Sequence, residues 1–255
     1  MRLFAASVFI IVAASPALAQ STPIAQNLPF PAVQDPNGSG FYVQDGTFSD
    51  ALQSGGSYYY SQAIGQSFSV GSGQSSTITD IAFWGSSEYF QSNTPWNQTA
   101  LSSNIIGMQI AILRTDTGTS DFPIVHSWTI QTGQFSQVLT GNYTAGTLSP
   151  VFRLSSVLAG NFTLGAGDYM ITIGGVLNNP DGDSFAWTDG LADGSDPATQ
   201  AYATVGDTPT EWGSWIPISD GTSGAFVLNG INVPAPGVVA LLAMAGLRGR
   251  RRRGR

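Results

Sequence analysis

The chain of 255 residues has no cysteine, no lysine, a single histidine (His126) and only two glutamates, Glu88 and Glu211. Without cysteine there is no disulfide, no thiolate nucleophile and no cysteine-ligated metal, so the fold must be held by its core or by bound ions. His126 stands beside an apolar strand pattern and reads as a packed or hydrogen-bonded strand residue rather than a general base. No G-x-S-x-G elbow, H-E-x-x-H helix or phosphate-binding loop occurs, and neither glutamate sits in a motif for glycoside hydrolysis. The body is therefore expected not to be an enzyme. A hydrolase working through aspartates is the remaining catalytic alternative.

Charge is scarce and unevenly placed. All nine basic residues are arginine: Arg2 near the start, six in the last eight residues, and only Arg114 and Arg153 between them. Those two face all 16 acidic residues, which leaves the body at about −14. Such a surface repels nucleic acid and anionic membranes, attracts cations and keeps an exported β-protein soluble. Gly, Ser, Thr, Asn and Gln are abundant instead, a composition that suits short strands joined by tight turns.

What is there begins with a secretory signal peptide over residues 1–19. Arg2 precedes an apolar stretch from Leu3 to Ala14, Pro16 breaks it, and Ala17-Leu18-Ala19 is a small-x-small cleavage site before Gln20. The apolar stretch is short for a membrane span, and an uncleaved anchor is the alternative. Residues 20–40, rich in Pro, Gln and Asn, read as an extended leader or a first edge strand.

Residues 41–232 alternate with period two. The sequence predicts strands at Ile106-Met108-Ile110-Ile112, Trp128-Ile130, Phe152-Leu154, Tyr169-Ile171-Ile173, Phe185-Trp187 and Phe226-Leu228. Further strands are expected at 63–70, 77–84, 135–140 and 201–205. Turns at Asp116-Thr117-Gly118, Gly165-Ala166-Gly167-Asp168 and Asn178 to Gly182 separate them. The expected fold is all-β: an antiparallel, jelly-roll-like β-sandwich.

Residues 233–255 form a three-part segment: Val233-Pro234-Ala235-Pro236, an apolar run from Val238 to Leu247, and arginines at Arg248, Arg250, Arg251, Arg252, Arg253 and Arg255. A spanning helix needs about 20 apolar residues, so this run is expected as a short helix making only transient membrane contact, with the arginines held on the cytoplasmic side. The alternative is a basic tail for nucleic acid or membrane phosphates. The segment resembles the PEP-CTERM sorting signal of Gram-negative bacteria, with Ala235 where the usual tripeptide has Glu. The resemblance covers only these residues. It implies processing by an exosortase, a membrane-embedded cysteine protease, and export to the cell surface, envelope or exopolysaccharide matrix. The body would then have a structural or adhesive role.

Two constellations are candidate binding sites. Asp181, Asp183, Asp189, Asp193 and Asp196, interleaved with glycines, offer the oxygen-rich spacing that Ca²⁺ uses, although no glutamate closes the loop. The favoured reading of the same residues is a set of Asp-Gly turns, in which Asp caps its own backbone. Trp96, Trp212 and Trp215 sit in loop-like contexts and could stack on sugar rings, which would make the body a carbohydrate-binding module, or could cover the ends of the core.

Overall fold

A computed structural model of the chain describes residues 21–40, 42–44, 46–52, 61–88, 98–118, 122–145, 147–179, 182–190, 199–203, 216–217 and 224–234. The expected signal peptide, the apolar run and the arginine cluster lie outside them.

The described residues are strands, with one 3-10 turn at Thr132–Gln134 and no α-helix among them. In chain order the strands are β1 (Thr22–Asn27), β2 (Val33–Gln34), β3 (Tyr42–Gln44), β4 (Gly46–Phe48), β5 (Asp50–Leu52), β6 (Ser61–Val70), β7 (Gln74–Glu88), β8 (Ile105–Arg114) and β9 (Ile124–Gln131). Then come β10 (Ser136–Thr144), β11 (Pro150–Val157), β12 (Thr163–Leu164), β13 (Gly167–Leu177), β14 (Ser184–Thr188), β15 (Thr199–Ala203), β16 (Ile216–Pro217) and β17 (Phe226–Pro234). Ten strands form one sheet along the path β1-β17-β7-β11-β10-β3-β2, with β12, β14 and β4 attached to it. Seven form the second, β16-β15-β6-β13-β8-β9, with β5 beside β13.

Alternation places one row of each strand between the sheets. Ile78, Ile81, Phe83, Phe152, Leu154, Phe185, Trp187 and Phe226 from the first sheet share one buried cluster with Met108, Ile110, Ile112, Tyr169, Ile171 and Ile173 from the second. Phe68 of β6 bridges the sheets, stacked on Tyr169 at 5.7 Å and tilted against Phe226 at 6.5 Å. Each fully buried side chain of this size contributes roughly 1.5–3 kcal/mol, which lets a chain without disulfides hold together. A smaller cluster of Ala63, Ala111, Leu113 and Met170 lies apart from this core, covered by Phe122 and Ile124.

One alternation is corrected. The sequence pattern puts Ile106 on the core face of β8, but Ile106 is 41% exposed and Ile105 is buried. The register against β13 slips between Val176 and Leu177, and the extra residue turns Ile106 outward. A comparable slip opposite Asn229 and Gly230 lets both Ile78 and Ile81 of β7 face the core.

The strands also fix two poles. β7 starts at Gln74, paired with Pro234, and ends at Glu88, paired with Ser184. Thr22 pairs with Gly230, and the Ser21 hydroxyl lies 2.8 Å from that of Thr79. Ser21 and Pro234 therefore leave from the same pole. Part of the stretch 20–40 is an edge strand, β1, and β17 runs into Val233 and Pro234. The first half of the C-terminal motif is thus the end of a strand; proline, with no N–H, suits that end.

Candidate functional site

β9 ends the second sheet, and an open groove of about 610 Å³ runs along it. Its walls are His126–Ile130 of β9 on one side and Ser156–Gly160 on the other, with Gln134 at one end. The Trp128 indole N–H donates to the Ala159 carbonyl at 2.8 Å and ties the walls together. Gly160 (φ +105°) and Asn161 (φ +44°) are left-handed positions in the excursion after Ala159, from which the chain rejoins β7, in the same direction, as β12. His126 stacks on Phe162 at 4.3 Å and 8° and meets Trp128 edge-on at 4.4 Å, so the lone histidine is the middle member of an aromatic trio. Val157 on the rim is 81% exposed. The groove lining contains no Asp, Glu, Lys or Arg.

A second polar feature lies at the far pole. The Glu88 carboxyl is buried, and desolvation pushes its pKa up, against hydrogen bonds from Thr144, Ser86 and Thr147 that pull it down. Ser86 Oγ donates to it at 3.2 Å. Thr144 Oγ1 lies 2.7 Å from Thr147 Oγ1, so the carboxyl sits in a nest of hydroxyls. Two cations of the body are engaged elsewhere: Arg114 forks onto Asp116 at 2.5 and 3.0 Å, and Arg153 lies 5.7 Å over the Trp84 ring. The Arg114 hydrogen bonds hold the Asp116 carboxyl below its usual range.

The acidic interval is not one loop. Asp183 precedes β14 and Asp189 follows it, and at about 3.3 Å per strand residue they stand about 20 Å apart. Asp189 is buried and its carbonyl accepts the Phe30 N–H at 3.2 Å. The turn before Asp183 is closed by an amide. Asn104 Nδ2 donates to the carbonyls of Asn179 and Asp183, both at 2.9 Å, and Oδ1 accepts the Asn179 N–H at 2.9 Å. A Cβ on Gly182 would lie 2.5 Å from that amide, so only glycine lets the turn close around it. Among the described residues no three His, Cys, Asp or Glu side chains gather as a metal would require.

Asp181, Asp193, Asp196, Trp96, Trp212, Trp215, Ala235, Pro236 and the six terminal arginines lie outside the described residues. Trp128 and Trp187 are both buried. Sequence reasoning missed the groove, the Glu88 nest and the Asn104 clamp. Glu88 had one visible sign, a carboxylate in a run of serines, whereas Asn104 acts on residues 75 positions away and leaves no local pattern.

No family model matches the chain, and no curated protein or solved structure is detectably similar to it.

Proposed function

We propose that this chain is an exported structural or adhesive protein of the cell surface or extracellular matrix, sorted by a PEP-CTERM/exosortase-type system. One observation supports this most directly: Ser21, just after the expected signal-peptide cleavage site, and Pro234, inside the C-terminal motif, leave the fold at one pole. Both processing steps would then act on the same side of the domain, and the opposite pole would face away from the membrane. The two-sheet body, on this reading jelly-roll-like because the chain changes sheet at β6–β7–β8 and again at β13–β14–β15, would be the displayed module. The test is expression in a Gram-negative host with an exosortase, comparing the full chain with one lacking residues 235–255, a cut that leaves β17 whole. Surface or matrix retention of the full chain and release of the truncated one is expected. Identical fractionation of the two would sink the proposal.

A second reading, a carbohydrate-binding module, draws on the far pole. Glu88 precedes the segment holding Trp96, and Ala203, paired with Ser61, precedes the segment holding Trp212 and Trp215. Both strand ends lie away from Ser21 and Pro234. On this reading W212A and W215A lower retention on a polysaccharide matrix and leave the melting temperature unchanged.

A further inference from the structure

Natural sheets guard their free edges with short strands, prolines, bulges or charges, because an open edge templates pairing with another chain. Of the four described strands that end the two sheet paths, three are guarded. β2 has two residues, β16 has two and ends in Pro217, and β1 carries Pro23 and a bulge between Pro23 and Ala25. β9 is different. It has eight residues, Ile124–Gln131, with no proline and no acidic or basic residue other than His126. Its one irregularity, opposite Ile112 and Leu113, falls at its start and leaves the rest in regular register on β8. No described strand pairs with its outer side.

We propose that β9 is a homotypic interface, at which two copies of this chain pair edge to edge, antiparallel, with Val157 of each facing the groove of the other. The charge distribution selects a second copy as the occupant. In an antiparallel pair about a two-fold axis each residue near the axis meets its own twin, and like charges placed opposite each other oppose pairing. For a body with 16 carboxylates and two arginines, a patch free of carboxylates is the surface where self-pairing meets least repulsion. The groove wall, His126–Ile130 with Ser156–Gly160, is such a patch. A basic partner protein would find no carboxylate there to recognise. The patch also supplies both halves of an apolar contact, the 81%-exposed Val157 and the recess beside it, as a self-complementary surface must.

The experiment is sedimentation equilibrium of the full exported chain beside T129K and V157D, with S127C carrying a spin label. Thr129 is exposed on β9, and lysine there is the guard that natural edges use. The chain is otherwise free of cysteine, so the label reports one position. The expected result is a dimer with labels close enough for strong dipolar coupling, and association weakened about tenfold or more in T129K and V157D. Both variants should keep the melting temperature of the unassociated chain. A chain monomeric across the micromolar range overturns the proposal. So do variants that associate as tightly as the parent, or a dimer whose labels are out of range, which would place the contact elsewhere.

Discussion

The Trp128 indole in β9 and the Ala159 carbonyl beyond β11 form a 2.8 Å hydrogen bond between the edge of one sheet and a turn of the other. A second polar tie, from the Ser156 hydroxyl to the Gln134 carbonyl at 3.3 Å, lies at the end of the same groove. W128F removes the donor and one of the two fused rings of a buried side chain. The expected cost exceeds the ~1 kcal/mol net value of a neutral hydrogen bond, because a cavity is left as well, and is read as a lower denaturation midpoint with unchanged slope.

Glu88 gives the fold a pH dependence of definite sign. Burial raises its folded pKa above the ordinary value of 4.5, so the folded state holds this proton more tightly than the unfolded chain. Below 4.5 the group is protonated in both states and its contribution is fully present. As pH rises through the folded pKa that stability is lost, because a carboxylate must then sit desolvated among hydroxyls. E88Q removes the titration. Melts at acidic and at mildly alkaline pH should show E88Q gaining on the parent as pH rises; a parallel pair of curves would exclude this role.

Gly85 of β7 is packed under the Phe185 ring and the Ala186 carbonyl, with no room for a Cβ. G85A forces either the ring or the β7–β14 pairing to move. Overpacking of this kind costs about 1–3 kcal/mol, and here a backbone carbonyl shares the clash, so the upper end of that range is expected in chemical denaturation.

The clamp at Asn104 separates two explanations of the acidic turn. N104D replaces two donated hydrogen bonds with a carboxylate facing two carbonyl oxygens. Loss of about 1–3 kcal/mol is expected from leaving those carbonyls unmet. In the parent chain the amide already closes the turn, so millimolar Ca²⁺ and EDTA should give the same melting midpoint. A clear rise in Ca²⁺ would show a cation bound to the folded state.

Much of the fold was legible because alternation survives wherever a strand has one wet face. β8, β11 and β13 were readable from their isoleucine, phenylalanine and leucine rows. Ile105 and Ile106 show where the method stops. Either member of an isoleucine doublet can fill the core, so the pattern does not say which one a bulge expels. Sheet order, the unguarded edge and the Asn104 clamp depend on contacts between distant segments, and one-dimensional periodicity does not contain them. The extension of β17 into Val233 and Pro234 was hidden for another reason: the motif's prolines suggest a break where the strand in fact continues to its pairing with Gln74.

That continuation has a mechanical meaning. β17 lies between β1 and β7, paired on both sides from Phe226 to Gly230 and with β7 alone from there to Pro234. Antiparallel hydrogen bonds run across the strand, so a pull entering through Pro234 along β17 strains two ladders at once, in shear, instead of peeling them open bond by bond. A body anchored by this tail would carry drag and traction through a doubly flanked strand.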